Sequence, residues 1–97
     1  MNLNQIEKLS KTESKTIMER TVKLQEEVGE LAQEVLIAAK ASGLQYKVAS
    51  HDGIKGECAD ILIVALSIFF ADGGTAEELE ALVGAKCQKW AKHQVPN

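Results

Sequence analysis

Acidic side chains three residues apart stand at two places in this chain, and they are the residues best suited to chemistry. The first group is Glu26, Glu27 and Glu30, and the second is Glu57 and Asp60. On a helix, with about 100° per residue, the two members of a pair three residues apart project from nearly the same side. Four carboxylates at a seam between two helices would repel one another unless a cation neutralised them. The spacing therefore favours a site for a hard divalent cation such as Mg²⁺, with Mn²⁺ as a substitute, because these ions prefer oxygen ligands.

A solvated acidic face is the alternative interpretation of each pair taken alone. Lys23 precedes Glu27 by four residues, which is the spacing of an exposed helical ion pair. Such pairs are common and contribute little stability. Two pairs on successive helices, each beside apolar residues such as Leu24 and Ile61, make the cation site as strong an interpretation as the solvated face. Glu34 lies on the Glu27 side and either extends the site or lies on the surface.

Helices must position these carboxylates, and the apolar spacing predicts where they lie. Residues 1–12 form a short amphipathic segment, and a long helix then opens at Ser14 or Thr16 and runs to about Ala41, before Gly43. The apolar positions of the long helix recur at helical spacing: Ile17, Leu24, Val28, Leu31, Val35 and Ala38. Residues 42–53 are predicted to be a loop or a broken helical turn.

Two further helices are predicted after this loop. One runs from about Ile54 to Ala71, and the other is capped by Thr75, forms a capping box with Glu78 and runs to about His93. The 61–70 segment is apolar around nearly its whole circumference, which suits the centre of a bundle or a dimer interface. We therefore predict a single all-α domain over residues 1–97, a helical bundle of three to four helices per chain completed by homo-oligomerisation, as a homodimer or homotetramer.

Composition excludes several classes of function. The formal net charge is −3 and no dense basic patch occurs, so duplex nucleic acid is not an expected partner. The longest apolar run, from Ile61 to Ala71, is too short to span a bilayer. The first residues lack the pattern of a signal peptide, so we expect a cytoplasmic protein with no membrane partner. Cys58 and Cys87 are expected to be reduced, partly buried thiols.

The combined acidic motif resembles that of the MazG-type, all-α nucleotide pyrophosphohydrolases. The pattern EExxE, a gap and then ExxD is present as Glu26-Glu27-x-x-Glu30 and Glu57-x-x-Asp60. The surrounding text is also similar: it reads LQEEVGELA in the first motif and ECADIL in the second. The resemblance covers roughly residues 17–92 and implies an all-α fold that assembles into dimers or pairs of dimers.

The resemblance also implies an activity. Members of that family hydrolyse nucleoside triphosphates, often deoxynucleotides, to the monophosphate and pyrophosphate, a reaction suited to housecleaning of the nucleotide pool. By matching positions, it implies the following ligands for Mg²⁺: Glu27, Glu30, Glu57 and Asp60. Glu26 is then expected to take a catalytic role, positioning water or supporting the ligands. Lys86 matches a phosphate contact, Lys89 is a second candidate, and Trp90 stands where the family often has arginine. Trp90 is expected to pack in the core or to stack on a base.

Other readings of the same residues stay open. The stretch from Glu34 to Lys40 looks like a phosphoribosyl-ATP pyrophosphohydrolase of histidine biosynthesis, although Val64 stands where those enzymes commonly carry histidine. A di-metal four-helix protein needs ExxH, which is missing here, and a non-enzymatic helical interaction module is a further alternative. The base of a nucleotide substrate is expected to meet side chains near the N-terminus and the first motif: Gln5, Ile6, Leu9 and Gln25.

Overall fold

Four α-helices make up the computed structural model, which describes residues 1–40, 48 and 52–94. Their bounds are α1 Leu3–Thr12, α2 Ile17–Ala38, α3 Gly53–Ala71 and α4 Ala76–His93. No strand occurs in these described ranges. Helix α3 is central, because both α2 and α1 pack against it. The predicted all-α class is confirmed, whereas completion of the bundle by further copies stays a prediction.

Threonine caps begin the two helices for which they were predicted. The Thr16 hydroxyl accepts the Glu19 backbone N–H at 3.1 Å, and the Glu19 carboxylate accepts the Thr16 backbone N–H at 3.0 Å. This capping box satisfies two helix N–H groups that would otherwise lack partners, and it selects Thr16 over Ser14 as the start of α2. At α4, the Thr75 hydroxyl accepts the Glu78 backbone N–H at 3.1 Å.

The end of α2 comes earlier than predicted. The helix stops at Ala38 rather than near Ala41, and Lys40 adopts a left-handed conformation with φ of 53°. The Lys40 N–H donates to the Ile37 carbonyl at 3.0 Å, so a residue other than glycine makes the turn that ends the helix. Gly43, the predicted stop, and most of the predicted 42–53 loop lie outside the described residues.

A tight corner of two glycines joins α3 to α4. Gly73 has a φ of +90°, a conformation that glycine adopts without a steric penalty. The Gly74 N–H donates to the Phe69 carbonyl at 3.0 Å, and a Cβ built on Gly74 would overlap the Phe69 ring. The direction in which α4 leaves α3 is therefore fixed by contacts that only glycine permits.

The buried side chains of α2 are not those of its apolar stripe. Its three buried side chains are charged and lie seven residues apart: Arg20, Glu27 and Glu34. Three of the apolar residues that recur at helical spacing, Ile17, Val28 and Val35, are 40%, 50% and 45% exposed. Seven residues correspond to about two helical turns, so α2 presents a charged stripe to its neighbours and leaves an apolar stripe uncovered.

Helix α4 stands apart from the other three helices. None of its residues is buried, and it makes no extended contact with another described helix. Within the described ranges, the only buried large apolar side chains are Leu66 and Phe70 of α3. The chain is correspondingly open, with extents of 46 × 44 × 22 Å. Cys58 and Cys87 are both free and exposed, so the expectation of partly buried thiols was wrong.

In the part of the chain that the structure describes, no helix has the length and apolarity that crossing a membrane requires.

Candidate metal centre

Three carboxylates from α2 and α3 converge at the seam between these helices. Glu27, Glu57 and Asp60 each offer one carboxylate oxygen, and these oxygens all lie within 4.8 Å of one another. Glu27 is buried, Glu57 is half-buried and Asp60 is exposed. The cluster is therefore anchored inside the molecule on the α2 side and open to solvent on the Asp60 side. The structure therefore brings together three of the residues from the two acidic motifs, one from α2 and two from α3.

Two oxygen atoms of this cluster are buried without a hydrogen-bond partner among the described residues. They are Oε2 of Glu27 and Oε2 of Glu57. A buried polar atom that has lost water and gained no partner costs free energy. Carboxylate oxygens without donors are the ligands that a hard divalent cation takes, so the donor set and its missing partners both fit such an ion.

The electrostatics of the cluster are those of crowded like charges. Burial, the neighbouring Glu27 carboxyl and the negative charges of Glu30 and Asp60 together raise the pKa of Glu57 from 4.5 to about 7. The pKa of Glu27 is lowered, chiefly because Lys23 donates a hydrogen bond to it. Near neutral pH, the metal-free cluster therefore holds a proton on Glu57 while Glu27 stays ionised.

Glu30 and Glu26 lie at the margin of the cluster. Glu30 is exposed and does not belong to the set of oxygens within 4.8 Å, yet its charge is one of the causes that raise the pKa of Glu57. Glu26 is exposed, and its carboxylate lies 3.6 Å from the Lys23 ammonium. The fourth ligand position of Glu30 and the catalytic role of Glu26 remain predictions. Glu34, which sequence reasoning left between site and surface, is buried.

Lys23 links the carboxylates to a neighbouring cavity. Its ammonium lies 3.2 Å from Oε1 of the buried Glu27, and the Lys23 side chain is 46% exposed. The same side chain lines a cavity of about 270 Å³. The sequence predicted this ion pair, but as a surface feature; one of its partners is in fact a buried member of the cluster.

The cavity lies where α1 meets α3. Its apolar walls are formed by Ile6 and Leu9 of α1 and by Ile63 and Val64 of α3, and Lys23 belongs to its polar lining. Ile6 and Leu9 were among the residues expected to meet a substrate base. The cavity is slightly smaller than the usual range for small-molecule sites, about 300–1,000 Å³, and has their usual mainly apolar character.

A buried arginine holds the other side of this cavity, and sequence reasoning missed it. Arg20 is 6% exposed. Its Nη1 donates to Ser10 Oγ at 2.9 Å, to the Ser67 carbonyl at 3.0 Å and to Ser67 Oγ at 3.1 Å. Its Nε donates to the Lys15 carbonyl, and its Nη2 donates to the carbonyls of Ser10 and Glu13. One guanidinium therefore fastens the end of α1 to α3.

The predicted cationic contacts lie on α4, away from the carboxylates within one chain. Lys86, Lys89 and Trp90 are all exposed, and Trp90 is 65% exposed. Trp90 therefore does not pack in the core of its own chain. Because α4 makes no extended contact with α2, the chain does not itself pack these residues against the acidic cluster. Their role in substrate binding remains a prediction.

Comparisons of this chain with protein-family models, with curated proteins and with solved structures found no match. The resemblance to MazG-type enzymes therefore rests on the acidic motif and its surrounding residues. What the chain can do has to be argued from the geometry of its site.

Proposed function

We propose that this chain is a Mg²⁺-dependent nucleoside triphosphate pyrophosphohydrolase, which converts (deoxy)nucleoside triphosphates to monophosphate and pyrophosphate. The observation that carries the proposal is the convergence of Glu27, Glu57 and Asp60 within 4.8 Å, with two buried oxygens that lack partners. Acidic clusters of this kind suit the metal ions that accompany phosphate substrates. The reaction itself is proposed from the resemblance of the motif.

The chain's own residues have distinct tasks in this proposal. Glu27, Glu57 and Asp60, with Glu30 beside them, would hold the ion, which when bound offsets negative charge on the phosphate oxygens. Glu57 must give up its proton before its carboxylate can become a ligand, because its pKa is about 7. Glu26 stays in solvent at the edge of the cluster, where it would accept a proton from the attacking water.

The cavity beside Lys23 is the proposed place for the nucleoside. Lys23 touches both the Glu27 carboxylate and the cavity, so a substrate lying across it would have its phosphates at the acidic cluster and its base among apolar groups. Ile6, Leu9 and Ile63 supply such groups. An apolar slot of this kind would accept the face of a base without selecting its edge.

The enzyme is proposed to act as a homo-oligomer. Among the described residues, Leu66 and Phe70 are the only large apolar side chains that the chain buries. Leu62 and Ile63 on α3 remain 46% and 50% exposed, within the 61–70 segment predicted to form an interface. Exposed apolar patches of this kind usually mark contacts with another chain.

A substrate panel tests the proposed reaction. The purified chain would be incubated with Mg²⁺ and each common ribo- and deoxynucleoside triphosphate, and with phosphoribosyl-ATP for the alternative reading, and pyrophosphate and phosphate would be measured separately. Pyrophosphate is expected, and it should disappear in Glu57→Gln but not in Glu77→Gln, which alters an exposed acid of α4. Phosphate as the sole primary product, or no turnover of any substrate, would contradict the proposal.

A further inference from the structure

The side chain of Lys23 lies between two places that a ligand could fill. Its ammonium is 3.2 Å from Oε1 of the buried Glu27 and 3.6 Å from Oε2 of the exposed Glu26. The same side chain lines the cavity where α1 meets α3, together with Arg20, which precedes it by three residues on α2. One lysine therefore borders the acidic cluster on one side and the cavity on the other.

The contact between Lys23 and Glu27 is one that can be exchanged. A lysine four residues before a glutamate is the less favourable order for a helical ion pair, and the Lys23 side chain is 46% exposed. Its flexible four-carbon stem can carry the ammonium to a different partner. The pair therefore neutralises Glu27 in the absence of other ions without fixing Lys23 in one position.

A divalent cation at the acidic cluster would weaken this contact. Oε2 of Glu27 is buried and lacks a partner among the described residues, while Oε1 faces the Lys23 ammonium. A cation that uses the Glu27 carboxylate would thus lie close to a second positive charge, and the two would repel each other. Tight cation binding therefore requires Lys23 to turn away from Glu27, and its ammonium then needs another acceptor.

An anion in the cavity would be that acceptor, and the charges of the cavity lining favour one. Three of its four charged residues are the cations Lys15, Arg20 and Lys23, and the fourth is Glu13. The buried Arg20 guanidinium donates only to hydroxyl and carbonyl oxygens, and no ion pair neutralises it within the described residues. A buried charge without a counter-charge is costly, so a ligand with an apolar body and an anionic group suits this cavity.

We infer that Lys23 couples the two places, so that a divalent cation at the acidic cluster and a nucleoside phosphate in the cavity each strengthen the binding of the other. With both bound, Glu27 faces the cation and Lys23 faces the phosphate. The choice of a nucleoside phosphate rests on the proposed function, whereas the exchange of Lys23 between Glu27 and an anion rests on the geometry. The coupling is reciprocal, because each ligand must change the affinity for the other by the same factor.

Calorimetry with nucleoside 5′-monophosphates tests the coupling without any turnover, because these probes hold no pyrophosphate to release. The Kd of Mg²⁺ would be measured with and without the tightest-binding of the common monophosphates, and the Kd of that probe with and without Mg²⁺. Both should tighten by the same factor, about five- to tenfold, which is within the usual range for coupled sites. Equal Kd values with and without the second ligand would overturn the inference, as would the absence of binding by every monophosphate.

Lys23→Met separates this coupling from direct contact between the cation and the phosphate. The factor between the two Kd values of Mg²⁺ should fall towards one in this variant, because no ammonium remains to be exchanged. Lys15→Met is the matched control, since Lys15 also lines the cavity but forms no ion pair with the cluster among the described residues, and it should keep the coupling. A wild-type factor in Lys23→Met, or an equal loss in both variants, would overturn the inference.

Leu9→Glu tests whether the probe lies in the cavity. Leu9 is 60% exposed in the cavity wall, so the new carboxylate should leave the fold intact and repel an anion bound there. The Kd of the probe should rise about tenfold, while the Kd of Mg²⁺ alone should stay at the wild-type value. Unchanged probe affinity would place the probe outside the cavity and overturn the inference. Coupling without pyrophosphate release from any triphosphate would instead refute only the proposed enzyme activity.

Discussion

Two buried charged groups on one face of α2 differ in how they are satisfied. Arg20 and Glu27 are seven residues apart and equally buried, each 6% exposed. The Arg20 guanidinium donates to oxygens of Ser10 and Ser67 and to the carbonyls of Glu13 and Lys15. Glu27 has one cation, Lys23, and an oxygen that no donor reaches within the described residues. The hydrogen-bond partners of this buried face are therefore all present at Arg20 but not at Glu27.

This difference indicates that Arg20 supports the fold and that Glu27 belongs to the candidate metal centre. A buried charge whose hydrogen bonds are all made stabilises one arrangement of the chain, and removing it leaves its partners without donors. A buried charge that lacks hydrogen-bond partners is held in place by the residues around it. Its free energy falls when a ligand supplies the missing partner. We therefore expect substitutions at the two positions to affect different properties.

The largest expected effect is the loss of turnover when the carboxylates are neutralised. Glu27→Gln, Glu57→Gln and Asp60→Asn, and by the resemblance Glu30→Gln, should each lower Mg²⁺-dependent turnover by at least about 100-fold, because charge stabilisation by the ion is lost. The fold should survive, since each change removes repulsion within the cluster. Turnover near the wild-type value at saturating Mg²⁺ in any two of these variants would refute the site.

The next largest effect is on the free energy of unfolding, and it should come from the Arg20 end of the buried face of α2. Arg20→Met removes the donors to Ser10 and Ser67 and should lower the free energy of unfolding by about 3 kcal/mol or more. Urea denaturation of the metal-free chain measures the change. Lys11→Met is the matched control, because Lys11 forms one exposed ion pair with Glu7 at 3.0 Å, and it should stay close to the wild type. Equal destabilisation by both changes would show that the buried contacts of Arg20 stabilise the fold no more than an exposed ion pair does.

A smaller effect is expected from pH, and it belongs to the Glu57 end. The pKa of Glu57 is about 7 in the folded chain against an ordinary 4.5. The folded state therefore binds the extra proton, and the free energy of unfolding should fall as the pH rises from about 4.5 to 7. Glu27 makes a contribution to the free energy of unfolding with the opposite pH dependence, because its pKa is lowered. That contribution is lost only as the pH falls below the ordinary pKa of 4.5.

Denaturation in EDTA at pH 5 and pH 8 would check this dependence. The contribution of Glu57 should make the free energy of unfolding of the wild type lower at pH 8 than at pH 5. Glu57→Gln should remove most of this difference. Glu77→Gln should keep the wild-type dependence, because Glu77 lies on α4 in solvent. An unchanged pH dependence in Glu57→Gln would show that the proton is held elsewhere.

The smallest expected effect comes from the lysine that lies between the two ends. Lys23→Met removes the cation 3.2 Å from Glu27, which competes with a metal ion for the same carboxylate. Calorimetry should find divalent-cation binding tightened a few-fold, with little change in unfolding because the pair is half exposed. Weaker cation binding in Lys23→Met would show that Lys23 orients Glu27 rather than competing for it.

The sequence predicted those features that depend on neighbouring residues. Thr16 and Thr75 mark helix starts because their hydroxyls cap N–H groups three residues away. Glu57 and Asp60 share a side of α3 because of helical geometry alone. Their meeting with Glu27 was expected because two acidic pairs near one helix seam would repel each other unless they shared a cation.

Features that depend on distant partners were not predicted. The burial of Arg20 requires oxygens from Ser67, 47 residues further along the chain, and nothing local indicates this. Helical periodicity shows that Val28 and Val35 share a face of α2, but not which face meets α3, and both residues are half exposed. The isolation of α4 likewise depends on the corner at Gly73 and Gly74, whose geometry a sequence pattern does not specify.

That corner has a consequence for how fast the proposed homo-oligomer would form. Gly74 lies against the Phe69 ring, and Gly73 already adopts the positive φ of the turn. Helix α4 therefore projects at a set angle before any encounter with another molecule. Little chain freedom remains to be lost on contact, which lowers the entropic cost of association. Collisions then need the right orientation but no rearrangement, the condition under which protein association approaches its ordinary rates of about 10⁵–10⁷ M⁻¹s⁻¹.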